Sequence, residues 1–249
     1  AAIMVCSFSL TTFQKMNRIQ REQQREALTE LLVTIKYCLD FDKKSSSDWA
    51  GVNGGCLGYP ALILMSSMID TMGSYFRECS LTIPVDSKNE SIEKGSDHFL
   101  ILNQENLFNL GLSKKTIIDF YSTYRSKLVH NSALPPNNFL INDKDSNNIF
   151  TLDQDLKIRC INIYALFEAI KKATEQFLAW LEFGTFSNDH KLTQELLEVA
   201  KPPFYDFSKE VQNQASNPSG CSYDPFEQET GMYIQIKDDD DFDNSLYSK

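Results

Sequence analysis

The chain has 249 residues, of which 42% are hydrophobic, so it can bury a substantial core without help from disulfides or metal ions. Its 34 acidic and 24 basic residues give a formal net charge of -10 at pH 7. This balance argues against a surface that binds nucleic acid by bulk electrostatic attraction, because non-specific affinity comes from lysine and arginine neutralising phosphates, so any contact with nucleic acid must use a local basic site.

The cysteines and histidines show no metal-binding spacing. The six cysteines include no C-x-x-C pair, and His98, His130 and His190 lie in separate segments. Reduced, buried thiols are typical of a cytosolic protein, so we expect neither a metal site nor another cofactor. The apolar residues 1–10 lack a basic flank and are too short to span a membrane, which predicts a soluble, cytoplasmic chain with no membrane partner.

Two helices are predicted in the first third of the chain. Residues 12–39 carry apolar side chains at helical spacing, and a loop rich in Ser, Asp and Gly follows at 41–59. Pro60 then stands in the first turn of "PALILMSSMIDTMGSYFREC", which is apolar on nearly all sides and predicts a central, buried helix. Asp70 is its one acid before the far end, and because an isolated buried charge is costly, Asp70 must be paired, neutralised or placed at a wet cleft.

The middle of the chain contains one helix with a clear pattern. A loop or insertion is predicted at 80–97, and a short helix at about 105–110. Ser113 is a suitable N-cap for "KKTIIDFYSTYRSKLVHN", in which a core-facing stripe is formed by Ile117, Phe120, Tyr121, Tyr124 and Leu128. The two prolines at 135 and 136 end this helix.

The last part of the chain predicts a hairpin, a long helix and an extension. "NNFLIN" and "NIFTLD" flank the polar "DKDSN", which favours a β-hairpin at about 138–153. Residues 156–183 form a long apolar-striped helix, with Gly184 placed to cap it. Beyond Gly184 the pattern predicts a short amphipathic helix, one strand at "GMYIQI" and an acidic tail of the kind that stays disordered.

Together these elements predict an all-α fold. We expect a bundle of four or five helices with a small β-hairpin insertion and a peripheral C-terminal extension. The helical domain would occupy residues 1–184, with insertions at about 41–59, 80–97 and 138–153. The extension would occupy residues 185–249.

Arg125 and His130 stand five positions apart near the end of the predicted helix 114–131. On an ideal α-helix they differ by about 140° in azimuth and about 7.5 Å along the axis, and unwinding toward Asn131 would let both flank one shallow surface. Guanidinium offers a fork of donors to phosphate oxygens, and imidazole exchanges a proton near neutral pH. Because RNA supplies its own nucleophile, the 2′-hydroxyl, such a pair could cleave it without a metal ion.

Two interpretations of His130 compete. In the catalytic one, Asp70 would orient Arg125 by a charge-assisted hydrogen bond, with supporting contacts from Ser126, Asn131 and Tyr124. In the structural one, a histidine at a helix C-terminus is sufficiently explained by the helix dipole and by capping of the last carbonyls.

The string "YRSKLVHNSALPP", residues 124–136, resembles the signature helix of the HEPN superfamily, in which an arginine and a polar residue precede a histidine by a few positions. "ALILMSSMIDTMGSYFRE" is similar to the HEPN helix that carries an acidic or polar partner for this motif. The resemblance implies a small helical bundle, often homodimeric, whose motif helices meet at the interface. It also implies, for many members, a metal-independent endoribonuclease of toxin-antitoxin, abortive-infection or other defence systems.

By this resemblance Arg125 would contact the scissile phosphate, His130 would act as acid or base, and Asp70 would orient Arg125. Ser126 stands where asparagine is commoner, but it keeps the position polar. Ser132 stands where toxins paired with nucleotidyltransferase antitoxins carry tyrosine, which argues against that pairing.

Three functions therefore stay open. The first is an endoribonuclease that acts on RNA, with a composite site at a homodimer interface. The second is a non-catalytic helical module for dimerisation or for binding an unidentified protein partner. The third is a nucleotide sensor whose cleft holds a small phosphate-containing ligand.

Overall fold

The computed structural model describes residues 18–45, 55–77, 81–131 and 133–186. Its α-helices are α1 (Arg18–Asp40), α2 (Gly58–Ser74), α3 (Lys114–Asp119), α4 (Lys127–Asn131) and α5 (Ile163–Phe183). Its strands are β1 (Thr82–Val85), β2 (Lys88–Ser91), β3 (Phe139–Ile141), β4 (Phe150–Leu152) and β5 (Ile158–Asn162). Two 3-10 segments occupy Lys43–Ser45 and Gly95–Asn103, and a π-helical segment, Phe120–Ser126, joins α3 to α4.

Helix α2 is the centre of the core. Eight of its residues are buried, and it packs against α1, α5 and the 3-10 segment Gly95–Asn103. Pro60 lies in its first turn, where the missing N–H has no intrahelical acceptor in any case. The predicted central, buried helix is therefore confirmed.

Two further predicted helices are present with their caps. Ser113 Oγ accepts a hydrogen bond from Thr116 N at 3.1 Å at the start of the continuous helix 114–131. Gly184 ends α5 in a left-handed conformation with φ of 72°, and its N–H donates to Trp180 O. The first helix is present from Arg18, with most residues of its polar half exposed, whereas its predicted start at residue 12 lies outside the described residues.

The segment predicted as a loop at 80–97 contains a hairpin and the start of a 3-10 helix. Strands β1 and β2 pair antiparallel through a two-residue turn, in which Asp86 and Ser87 have positive φ of 48° and 63°. Such a turn matches the twist of a hairpin but usually carries glycine, so the sequence did not signal it. The short helix predicted at 105–110 is wrong, because turns occupy that stretch and the helical residues lie upstream at Gly95–Asn103.

The hairpin predicted at about 138–153 is also wrong in its pairing. Strands β3 and β4 exist, but β5 lies between them, parallel to β3 and antiparallel to β4. Residues 158–162, predicted as the first turns of the last helix, are the central strand. The change to helix comes at Asn162, whose Oδ1 accepts from Tyr164 N.

In the part of the chain that the structure describes, the fold is mostly helical, with five α-helices, a β-hairpin and a small mixed three-stranded sheet. The predicted helical character is confirmed, whereas the class all-α is too narrow, because a second sheet accompanies the hairpin. Within the described residues no helix has the length and apolarity needed to cross a membrane. The predicted domain boundary at 184 stays a prediction, and the amphipathic helix, the strand and the acidic tail predicted beyond it lie outside the described residues.

Gly73 tests the contact that brings the 3-10 segment Gly95–Asn103 onto α2. A Cβ at this position would overlap the carbonyl oxygen of His98 and lie 2.6 Å from its Cβ. Alanine favours a helix interior by about 1 kcal/mol, but overpacking against backbone costs more, so we expect Gly73→Ala to lower the free energy of unfolding by about 1–3 kcal/mol. Urea denaturation measures this change.

Gly95→Ala is the matched control, because nothing lies within 4 Å of a Cβ at Gly95. We expect its free energy of unfolding to stay within about 0.5 kcal/mol of the original protein. Equal effects of the two substitutions would contradict the close packing at Gly73.

Candidate functional site

Arg125 and Asp70 are in contact. Arg125 belongs to the π-helical segment Phe120–Ser126 and Asp70 to α2, and Arg125 Nη2 donates to Asp70 Oδ2 at 3.2 Å. The two side chains keep 30% and 25% of their surfaces exposed. The pair expected from the sequence is therefore present, at the border of the core.

His98 binds the other oxygen of the same carboxylate. Its Nδ1 lies 2.6 Å from Asp70 Oδ1, and its Nε2 lies 3.0 Å from Arg77 Nη2. The side chain of His98 is only 7% exposed. We call these four residues, Arg125, Asp70, His98 and Arg77, the Asp70 network.

The hydrogen bonds of the network assign the form of the imidazole. Arg77 has only donors, so His98 Nε2 must accept and therefore carries no proton. His98 Nδ1 faces a carboxylate, which only accepts, and it must donate. The geometry thus fits the neutral ring with its proton on Nδ1.

The local backbone places His98 against α2. Gly73, one helical turn after Asp70, lets the backbone of His98 approach directly. The carboxylate of Asp97 accepts the N–H of Lys94 at 3.2 Å at the start of the 3-10 segment Gly95–Asn103, which satisfies a donor that the helix leaves unpaired. This hydrogen bond fixes the start of the segment that carries His98.

Aromatic rings support the guanidinium of Arg125. Its Cζ lies 5.6 Å from the ring centroid of Tyr121, a distance at which a cation is attracted by the face of the ring. The Tyr121 ring in turn contacts Phe99 edge to face, with centroids 5.4 Å apart. Arg125 therefore rests on residues of its own helix and of the segment that carries His98.

His130 is placed differently. It lies in α4, is exposed, and its side chain makes no hydrogen bond or ion pair with any described residue. The unwinding expected near Asn131 is absent, because α4 stays α-helical through Asn131. The departure from α geometry lies earlier, at Phe120–Ser126, where Lys127 N donates to Ser122 O, five residues back.

The predicted supporting residues divide into two groups. Ser126 is half-buried and Asn131 is exposed, so both remain open to a ligand. Tyr124 is fully buried, and its hydroxyl donates to Ile158 O at 3.0 Å and accepts from Asn138 Nδ2 at 2.9 Å. Tyr124 therefore has no surface open to a ligand, and its predicted supporting role would be exerted from the core, where it holds the helix against Ile158.

Burial raises the pKa of Tyr124 to about 12. Desolvation of the phenolate is the main cause, and the nearby Asp119 carboxylate acts in the same direction. The hydrogen bond from Asn138 opposes the shift only in part.

The described residues also form a cleft at a distance in sequence from the Asp70 network. A cleft of about 340 Å³ is lined by Arg18, Arg21, Glu22, Arg25 and Glu182, none of which belongs to the Asp70 network. Within the described part of the chain, no group of three or more His, Cys, Asp and Glu side chains could hold a metal ion. The candidate site is therefore described by the surface around Arg125, whose side chain keeps 30% of its area exposed.

His98 and Arg77 were missed by the sequence reasoning, although a signal existed for His98. "HFLIL" places a histidine at the head of a run that is buried in the structure, and buried polar groups need partners. Asp70 posed the same question on a separate buried helix. The two unsatisfied groups could have been assigned to each other.

Neither the protein-family models, nor the curated proteins, nor the solved structures compared with this chain give a match. The resemblance to the HEPN signature therefore stands on the motif residues alone.

The raised pKa of Tyr124 gives a test at alkaline pH. Unfolded tyrosine ionises near pH 10, whereas folded Tyr124 stays neutral until about pH 12. The stability that this difference contributes is complete below pH 10 and is lost as the pH rises toward 12, because only the unfolded chain releases the proton in that window.

We expect Tyr124→Phe to make the alkaline loss of stability less steep, by up to about 1.4 kcal/mol per pH unit between pH 10 and 12. Urea denaturation at several pH values measures the slope, which is independent of the constant cost of losing the hydrogen bond to Ile158. Parallel slopes in the two proteins would contradict the burial of a neutral phenol.

Proposed function

We propose that this chain is a metal-independent endoribonuclease of the HEPN type. The observation that supports this proposal most directly concerns Arg125 and His130, which lie on one continuous helix but differ in exposure and in hydrogen bonding. Arg125 is half-exposed and held by Asp70, whereas His130 is exposed and makes no side-chain hydrogen bond with the described residues. One group is oriented to bind a phosphate, and the other is free to exchange a proton.

The reaction that fits these groups is transfer of the phosphodiester to the adjacent 2′-hydroxyl. The 2′-oxygen attacks phosphorus as a base takes its proton, and the bond from phosphorus to the 5′-oxygen breaks as an acid supplies a proton to that oxygen. Arg125 would stabilise the charge on the non-bridging oxygens, and His130 would transfer the protons. The products are a 2′,3′-cyclic phosphate and a 5′-hydroxyl.

A homodimer would give this reaction its second imidazole. One histidine cannot be base and acid in the same step, whereas two His130 side chains across a two-fold interface could divide these roles. Val129, next to His130, is exposed to 44%, and Ile118 of the same helix to 55%. Exposed apolar side chains beside the motif are suited to such an interface.

A second candidate is a non-catalytic HEPN-like interaction module. It is favoured by the way in which the Asp70 network closes on itself, since both oxygens of Asp70 and both ring nitrogens of His98 already have partners. A network satisfied within one chain can serve folding alone. In that case Arg125 and His130 would contribute to dimerisation or to docking another protein.

The biological setting follows from the resemblance alone. A cytoplasmic toxin or defence component, with RNA as substrate and an additional protein partner, is consistent with this site but stays a prediction.

Alanine at Arg125 or at His130 tests the catalytic proposal. We expect each substitution to lower the rate of RNA cleavage by about 10²–10³-fold or more, because one removes the charge on the phosphate and the other removes the proton carrier. Cleavage of a mixed RNA pool, with product ends identified by mass spectrometry, measures the effect in the presence of EDTA.

Lys115→Ala is the matched control, since it removes an exposed cation from the same continuous helix outside the site. Its activity should equal that of the original protein. Full activity of both site variants, or cleavage that EDTA abolishes, would exclude the proposed mechanism.

Val129→Glu tests the interface. A charge at this position would be desolvated between two copies of α4, so we expect the dimer to dissociate and RNA cleavage to fall in parallel while the monomer stays folded. Sedimentation velocity measures dissociation of the dimer, circular dichroism measures the fold of the monomer, and the RNA cleavage assay measures activity. Val33→Glu, at a valine exposed to 46% on α1, should leave the sedimentation coefficient unchanged, and equal behaviour of both variants would contradict an interface at α4.

A further inference from the structure

We propose that His98 is a positioning residue of the candidate site. Its Nδ1–H fixes one oxygen of Asp70, so that the other oxygen holds the guanidinium of Arg125. The effect on catalysis rests on the proposed endoribonuclease function, whereas the effect on Arg125 itself does not.

The burial of His98 indicates that a histidine occupies this position for its hydrogen bonds and not only for its volume. The side chain is 7% exposed and heads a stretch of buried apolar residues, Phe99 to Leu102. Burying a polar group is unfavourable unless it is hydrogen-bonded, and an aliphatic side chain would fill core volume without that requirement. His98 meets the requirement at both nitrogens, with Asp70 and with Arg77.

The contacts of Asp70 explain how the influence reaches Arg125. The side chain of an aspartate rotates about two torsions. A single hydrogen bond to Arg125 would therefore leave the orientation of the Asp70 carboxylate loosely defined. The short contact to His98 Nδ1 ties Oδ1 to a buried group, which sets the direction of Oδ2. Asp70 Oδ2 then holds Arg125 Nη2 at 3.2 Å.

Arg125 keeps capacity for a ligand after this contact. A guanidinium has five N–H donors, and among the described residues only Asp70 accepts from that of Arg125. The remaining donors and the 30% exposed surface are available to a phosphate. His98 would thus set the direction of the group without touching the substrate.

Arg77 completes the arrangement from the exposed side. It donates to His98 Nε2, and a donor at this nitrogen keeps the proton on Nδ1, where Asp70 needs it. In a ¹⁵N spectrum of the imidazoles, we expect His98 to show a protonated Nδ1 and an unprotonated Nε2. The opposite tautomer would overturn the proposal, because Nδ1 could not then donate to Asp70.

The decisive experiment measures the chemical accessibility of Arg125. Phenylglyoxal modifies arginine side chains, and peptide mass spectrometry gives the rate at Arg125 separately. In His98→Leu we expect this rate to rise about tenfold, because Asp70 loses its hydrogen bond from His98 and holds Arg125 less firmly. A tenfold change corresponds to the loss of about one hydrogen bond to a charged group. Leu102→Ala removes buried volume from the same segment without removing a side-chain hydrogen bond, and it should leave the rate unchanged.

Two polar variants keep the test meaningful if His98→Leu fails to fold. The amide nitrogen of asparagine can occupy the place of Nδ1 and donate to Asp70, whereas the longer glutamine places its amide near Nε2. We therefore expect His98→Asn to keep the slow modification of Arg125 and His98→Gln to lose it. Equal rates in these two variants would overturn the positioning role.

A double-mutant cycle separates positioning from general loosening of the fold. Asp70→Asn should by itself raise the modification rate of Arg125, and adding His98→Leu should then change the rate little, because both act through one contact. If the two substitutions instead raise the modification rate of Arg125 by the product of their separate effects, His98 acts by another route and the proposal is wrong.

RNA cleavage then distinguishes the two proposals. If the original protein cleaves RNA, His98→Leu should lower kcat more than it changes KM, and His98→Asn should restore much of the loss. If the original protein cleaves no RNA but the modification rates follow the expected order, the endoribonuclease proposal fails and the positioning role stands. If Arg125 is essential for cleavage but the modification rates do not respond to His98, the positioning role fails alone.

Discussion

The carboxylate of Asp70 constrains the site because it lies on the helix that forms the centre of the core. Helix α2 buries eight of its seventeen residues, and a charge on such a helix is tolerated only with partners close by. Those partners come from two separate segments, His98 from the 3-10 helix and Arg125 from the π-helical stretch. One carboxylate therefore connects three elements, and the orientation of Arg125 depends on the packing of all three.

A second polar junction holds the other side of the helix that carries Arg125. The carboxylate of Asp119 accepts the N–H of Ile158 at 2.8 Å and the hydroxyl of Thr123 at 3.0 Å. The buried hydroxyl of Tyr124 donates to the carbonyl of the same Ile158. Strand β5 thus fixes the helix just before Arg125, and Asp70 fixes the side chain itself. The π-helical segment Phe120–Ser126 contains both Tyr124 and Arg125, as is common where a helix is shaped by function or by competing contacts.

Much of this architecture could be predicted from the sequence, because apolar periodicity reports burial directly. It located α1, α2, the continuous helix 114–131 and most of α5, and local chemistry identified the caps at Ser113 and Gly184. Electrostatics required only that Asp70 be paired, neutralised or placed at a wet cleft, and among 24 basic residues the motif around Arg125 suggested which partner to expect. The helices and caps, by contrast, depend on residues that are close in sequence.

The features that could not be predicted depend on contacts between distant segments. Strand β5 carries an apolar pattern that continues into α5, and only pairing with β3 and β4 on both sides decides that residues 158–162 are extended. The β1–β2 turn uses Asp86 and Ser87 in place of glycine, so its chemistry gave no signal. The π-helical stretch arises where Asp119 and Tyr124 are held by the backbone of Ile158, a residue more than thirty positions away.

The charge distribution bears on how an RNA substrate could be bound. In the Asp70 network two guanidinium groups face one carboxylate and a neutral imidazole, which leaves one formal positive charge in a chain whose total is -10. So few cations can neutralise only a few phosphates, and affinity from counterion release scales with that number. A site of this kind would choose its substrate by the geometry of one phosphodiester rather than by attraction to a long backbone. Tighter binding would then require further cations outside the Asp70 network, from this chain, from a second copy of it or from another protein.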